Sequence, residues 1–324
     1  MEQFEDFESF GMGTNIIQRI YGTNAKDVSI LGEHELKRLE GLMSFYLSTS
    51  EISKLNLEAG KNEVILDEET FEVIKKSKEY SELCHGTFDI TAAALVKLWG
   101  IFSKNQRIPA KEEIENILHL INYKDIILNE EKKSAKLSKA GQKIDLGAIA
   151  KGYAADKIIE IYKKNAVKSA FINIGGNVLT LGNKPDNSPW LIGIQNPFEP
   201  RGKNIGVIKI SDETVVTSGD YVRYFKENNI KYHHILDPNT GYPANSGIIS
   251  ATIIGKNSME ADALSTGIFI LGLIDGMELV EKTNGIDAIF ITSDKKIYVT
   301  HGAKEKFIFN SSSHGFEYIQ DTLF

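Results

Sequence analysis

Two hydrophobic spacings alternate along the chain, and each predicts a different kind of element. GMGTNIIQRIYG, near the start, has the period of a strand. It is followed by a helical spacing that sets Leu36, Leu39, Met43 and Tyr46 on about one face. A second helix is predicted after Asp67, carrying Phe71 and Ile74, and a short one from Pro109 to Leu120. CHGTFDITAAALVKLWG reads as a turn leading into an apolar helix or strand. Beyond residue 140 strands and helices alternate. KIDLGAIAKGYAADKIIEIYKK begins as a strand end, turns at a glycine, and continues as a helix with Ala154, Ile158, Ile161 and Tyr162 in register. AFINIGGN, WLIGIQNP, IGVIKI and GIISATIIG have strand patterns broken by Gly, Asn and Pro. Ser258 is placed to cap the following helix, and DAIFI with KIYVT makes a closing hairpin. The sum is an α+β chain rich in antiparallel sheet, expected as a single unit of two lobes over residues 1–324.

Composition narrows the function classes. A formal charge of −7 argues against nucleic-acid binding, which normally needs a basic footprint. The 42% hydrophobic and 25% charged content is that of a globular chain without a membrane-spanning apolar run. The single cysteine, Cys84, excludes a disulfide framework and a cysteine-rich zinc site. It reads as a small buried residue rather than a nucleophile. MEQFEDFESF is acidic and lacks the basic and apolar regions of a signal peptide. That start is expected either of a cytoplasmic protein or of one trimmed of an export signal.

Four segments carry polar groups suited to chemistry. In SMEADALSTGIFILG, Asp262 and Thr266 lie one helical turn apart on a face expected to be exposed, with Leu264, Ile268 and Leu271 on the buried side. A carboxylate and a hydroxyl are hard oxygen donors suited to Mg²⁺, which often completes its shell with water and substrate phosphates. Alone, Asp262 reads as an ordinary first-turn acid complementing the helix dipole. In DLGAIAKGYAAD, a glycine turn opens a helix with Lys151 in its first turn, an arrangement that attracts phosphate but also occurs in plain structural roles. TSGDYVRYF offers Ser218, Gly219 and Asp220 as a polar loop. In KYHHILDPNTGYP, adjacent residues of an extended segment point to opposite faces, so His233 and His234 do not share a metal. The Asp237–Gly241 stretch is a turn former. The remaining histidines, His34, His85, His119, His301 and His314, are scattered and carry no expected catalytic role.

Taken in order, GMGTN, SFYLSTSEISKLN, GTFDITAAALVKLWG, DLGAIAKGYAAD, INIGGN, VVTSGDYVRYF, HHILDPNTGYP and MEADALSTGIFILG resemble the ApbE family of FAD:protein FMN transferases across nearly the whole chain. The resemblance implies a T-fold-like α+β enzyme that uses Mg²⁺ and FAD. It implies transfer of FMN to a Thr or Ser hydroxyl of a partner flavoprotein in a membrane electron-transfer system, with release of AMP. By position it implies flavin contacts at Met12 and Tyr46. FAD-lining roles fall to Gly86, Thr87, Phe88, Asp89, Asp145, Lys151 and Leu236. Metal ligation falls to the Ala148 carbonyl, Asp262 and Thr266, with His234 as catalytic base and Asp262 essential. The neighbouring Ser265, where some members carry a further polar ligand, is left open. Export and a lipid anchor, with the signal trimmed, are implied, a cytoplasmic form being the alternative. Two other activities fit the same residues: an FAD pyrophosphatase releasing FMN and AMP, and a carrier that binds FAD without chemistry.

Overall fold

The alternation in Thr14–Tyr21 buries Ile16, Gln18 and Ile20 on one face, and eight further strands join it through their backbone ladders. The computed structural model describes residues 4–101, 103, 105–312 and 315–319. The strands form one nine-stranded sheet: β1 (Phe4–Gly11), β2 (Thr14–Tyr21), β3 (Ala170–Ile174), β4 (Asn177–Leu181), β5 (Thr214–Gly219), β6 (Ile248–Gly255), β7 (Asp287–Thr292), β8 (Lys296–Val299) and β9 (Glu317–Tyr318). Spatial order equals chain order, and each neighbouring pair is antiparallel except β8 with β9. In such a meander everything else enters as insertions between strands.

Between β2 and β3 lie α1 (Ala25–Met43), α2 (Glu51–Leu57), α3 (Glu68–Leu83), α4 (Ala93–Trp99), α5 (Lys111–Leu118) and α6 (Ala150–Lys164). Between β6 and β7 lie α7 (Ser258–Leu271) and α8 (Leu273–Lys282). One face of the sheet buries Ile16, Leu179 and Val216 against these helices, with Leu36, Ile158 and Leu264 in the same core. The opposite face buries Val215, Ile254 and Ile289 against a three-stranded sheet made of Trp190–Gln195, Asn204–Ile210 and Phe307–Phe309. A separate cluster of Leu95, Trp99, Ile101, Ile114 and Leu236 builds a second lobe. Its cover is the hairpin Tyr224–Glu227 and Ile230–His233, whose Phe225 and Tyr232 stack at 5.3 Å.

Several expectations shift. Tyr46 is not on the first helix, which stops at Met43. The Ser44 hydroxyl accepts the N–H groups of Tyr46 and Leu47, both at 3.2 Å, and this local bonding replaces the next helical turn. Asp145 does not end a strand; its segment is extended without a ladder partner and is held by its N–H on the Ile90 carbonyl at 2.9 Å. The cap of α7 is Asn257, whose side chain accepts the Glu260 N–H, so Ser258 is the first helical residue. Nor does α7 have an exposed face at Asp262, which is only 4% accessible because α6 and β5 pack on either side. Leu271, expected to bury, is half-exposed. The helix α2, capped by Ser50, was not signalled by hydrophobic spacing; it is only seven residues long. His314 lies outside the described residues.

Candidate functional site

Chain direction alone brings several motifs to one end of the sheet. The β1–β2 turn (Met12–Gly13), the β3–β4 turn (Gly175–Gly176) and the end of β5 (Ser218–Gly219) belong to adjacent strands. Gly13, Gly175 and Gly176 all have positive φ, which a side-chain-free residue adopts without strain. Met12 shares that conformation at φ 51, and its N–H is fixed on the Glu40 carboxylate at 3.0 Å.

Helices α6 and α7 cross each other beside β5. Their approach is close because Gly152 lies against the Ser258 carbonyl, where a Cβ would collide. Asp156, one turn further along α6, accepts the N–H groups of Ser258 and Met259 at 2.9 Å each, satisfying the start of α7. Burial pushes that carboxyl up to about 6. The crossing points Asp262 at α6: its Oδ2 accepts the Gly152 N–H at 3.0 Å, and both carboxylate oxygens meet the Lys151 ammonium at 3.2 and 3.3 Å. Lys151 also donates to the Gly147 carbonyl at 2.5 Å. Asp145 braces the same turn by accepting the Gly147 N–H at 2.9 Å, and burial raises its carboxyl above the usual range.

The positive charge of Lys151 thus sits among carboxylate and carbonyl oxygens in the Gly147–Lys151 turn that includes Ala148. Thr266 stands one turn beyond Asp262, with Ser218 Oγ 3.3 Å from its hydroxyl and 2.9 Å from that of Ser265. Ser265 in turn donates to the Asp262 carbonyl at 2.9 Å, which engages it within the helix. The donors are hard oxygens only. Among the described residues no three His, Cys, Asp or Glu side chains gather as a metal-binding group. A site of one carboxylate, one hydroxyl and a backbone carbonyl suits Mg²⁺, which would leave its other positions to water and phosphate. Asp262 and Thr266 are donors of the kind that such a cation takes, and Ala148 lies in the turn that Lys151 joins to Asp262.

His234 approaches from the other lobe. The hairpin ends at His233, and the two histidines separate as alternation requires. His233 is buried, with Nε2 3.0 Å from the Ala244 carbonyl and Nδ1 accepting the Ile235 N–H at 3.3 Å, against the ring of Phe269. It is a structural residue. His234 places Nδ1 3.1 Å from the Arg223 carbonyl. A carbonyl only accepts, so Nδ1 carries the proton and Nε2 holds the lone pair. Burial foremost, with the charges of Arg223 and Lys151 adding to it, pushes the imidazole down to about 4. Arg223 donates to the Gly13 carbonyl at 3.2 Å, linking this lobe to the β1–β2 turn. Tyr46, 69% exposed, lies within electrostatic reach of Asp145 and Arg223.

The structure therefore brings together Met12, Tyr46, Asp145, Ala148, Lys151, Asp262, Thr266 and His234. It sets the other expected positions behind them. Phe88 is buried, and Thr87 donates to the Cys84 carbonyl at 2.8 Å and lies 3.0 Å from that of Gly267, tying this turn to α7. Gly86 holds the turn at φ 81. Asp89 accepts from Thr91 N, Thr91 Oγ1 and Tyr123 N at 2.8, 2.6 and 2.8 Å, a cap that occupies both oxygens. Leu236 is in the core of the second lobe, anchoring the segment that bears His234. Cys84 is buried, and its thiol is pushed up to about 12, as expected of a packing residue. Sequence reasoning missed Asp156 and Arg223. Both lay inside segments that it singled out, but only the tertiary crossing reveals what they hold.

The fold is that of an α+β protein in which a lysine and hard oxygen donors meet where two helices cross on an antiparallel sheet. A family model described as the ApbE family matches residues 12–290, and the chain belongs to that family. It is 33% identical over 311 residues to an FAD:protein FMN transferase of Klebsiella pneumoniae, covering 96% of each chain. A protein of the same name from Treponema pallidum is 32% identical over 284 residues, 84% of this chain and 78% of that one. Among solved structures, the ApbE protein of Thermotoga maritima superposes with a TM-score of 0.88 at 34% identity, covering 94% of this chain and 99% of that one. The flavin transferase ApbE of Vibrio cholerae gives 0.85 at 26% identity, covering 94% and 100%.

Proposed function

We propose that this protein transfers the FMN part of FAD to a Thr or Ser hydroxyl of a partner protein, releasing AMP, in a Mg²⁺-dependent reaction. One observation carries the reading. The buried Asp262 carboxylate is clamped with Lys151 and the Gly147 turn, and the charge of that same lysine reaches a histidine held well below its ordinary pKa. The names of the relatives support the same activity.

The Lys151 ammonium, held beside the Gly147 turn, would bind the diphosphate of FAD. Mg²⁺, when bound, supplies charge neutralisation for the leaving phosphate. His234 accepts the proton of the acceptor hydroxyl at Nε2 as its oxygen bonds to the FMN phosphorus. The bond from that phosphorus to the bridging oxygen breaks, and AMP leaves with the bridging oxygen. The backbone of Arg223 keeps the base in the required tautomer. The acceptor belongs, on this reading, to a redox protein of a membrane electron-transfer system.

Incubation with FAD, Mg²⁺ and an acceptor protein tests it, with acceptor mass and AMP followed together. The expected result is one FMN on the acceptor per AMP formed. AMP with an unmodified acceptor would replace transfer by FAD hydrolysis, and bound FAD without AMP would reduce the protein to a carrier.

A further inference from the structure

Asn177 belongs to INIGGN, a segment whose two glycines explain a turn but not the residue after them. It is the first residue of β4, directly inward of the Gly175–Gly176 turn. Its side chain is on the helix-covered face of the sheet. Leu179, two residues on and so on the same face, packs in the core beneath the helices. The register agrees: the Val215–Val178 pair puts Asn177 beside Val216, which is in that same core.

The height of Asn177 against α7 follows from two contacts. Thr214 Oγ1 meets Ser258 Oγ at 3.1 Å and Ser218 Oγ meets Thr266 Oγ1 at 3.3 Å, so the helix runs alongside β5. Asp262, midway between Ser258 and Thr266, is then level with Val216, and with Asn177 on the next strand. Asn177 is 4% accessible, and its amide nitrogen has no hydrogen-bond partner. A buried donor left unpaired is a standing cost, and a ligand that supplies the acceptor removes it.

We propose that Asn177 is a further substrate-contacting residue, its Nδ2 donating to an anionic oxygen of the diphosphate held beside Asp262. This rests on the reading of the site as an FAD site. The protein alone carries an unsatisfied amide, and the loaded protein satisfies it.

The test measures two quantities on Asn177→Leu, which keeps the volume and removes the amide, and on Asn177→Ala. The first is the melting temperature of the protein without ligand. The second is the dissociation constant, in the presence of Mg²⁺, for FAD, for ADP and for riboflavin, which lacks phosphate. The expected result is an unliganded Tm for Asn177→Leu at or above that of the wild type. Affinity for FAD and ADP should fall roughly ten- to hundredfold in both variants, as loss of a hydrogen bond to a charged group implies, with riboflavin unaffected. Unchanged FAD and ADP affinity would overturn the inference, as would an equal loss for riboflavin. If Asn177→Leu does not fold, the Asn177→Ala affinities decide by the same criteria. Failure of the wild type to bind FAD would instead remove the underlying reading of the site.

Discussion

Asp262 ties two helices together and faces a lysine, so its substitution separates charge from shape. Asp262→Asn keeps an acceptor for the Gly152 N–H and loses the charge that Lys151 and a hard cation need. FMN transfer should fall by about a thousandfold or more, because several kcal/mol of charge stabilisation goes with it; single-turnover rates at saturating FAD check this. His234→Ala should cost roughly 10²–10⁴ in rate, the usual contribution of a general base, with FAD affinity little changed. The histidine also predicts a pH signature. Its folded value of about 4 lies below the ordinary 6.5, so the unfolded chain takes up the proton first. Its contribution to stability is complete above pH 6.5 and is lost as pH falls toward 4. Activity should keep its base to the same limit, with an acid limb well below 6.5. Urea midpoints of wild type and His234→Ala across that range should converge or diverge accordingly. A wild-type limb at 6.5 would mean a solvated imidazole. Asp156 acts oppositely: its folded value of about 6 lies above the ordinary carboxyl range, so its ionisation erodes stability as pH rises through about 6.

Among elements, the α6–α7 crossing sets the site and the second lobe delivers the base. Gly152→Ala forces a methyl into the Ser258 carbonyl, and overpacking of this kind costs about 1–3 kcal/mol, readable as a lowered urea midpoint. Because Gly152 and Lys151 both hold Asp262, FAD affinity should drop with it. Trp99 is the keystone of the other lobe. It packs near Phe225, Tyr232 and Tyr242, and its Nε1 donates to the Gly241 carbonyl at 2.9 Å. Trp99→Ala should cost about 3–5 kcal/mol and slow transfer more than it weakens FAD binding, since the loop after His234 loses its anchor. These two elements also show what could be read beforehand. Asp262 and Thr266 one turn apart, the Gly147 turn before a helix, and the unequal histidines all follow from local periodicity. Burial of Asp262 does not, because it comes from α6 arriving at Gly152, and no spacing within α7 encodes that approach. Tyr46 was misplaced for a local reason: a serine hydroxyl outcompeted one helical turn.

At the scale of the whole molecule, the chain-order meander explains how segments from residue 12 to residue 266 converge. Turns at one end of β1–β5 stack side by side, while the large insertions supply helices on one face and the lobe with His234 at the rim. The α+β class and the antiparallel sheet were legible in the strand patterns. The two clusters on opposite faces of the sheet were not, since Val215 and Val216 are chemically alike and only register assigns them to different cores. The central claim is that a protein hydroxyl, not water, attacks the FMN phosphorus. Running the reaction with FAD, Mg²⁺ and acceptor in oxygen-18 water tests this directly. The account predicts flavinylated acceptor and AMP that both lack the label. Oxygen-18 in the phosphate of free FMN, with the acceptor unmodified, would contradict it.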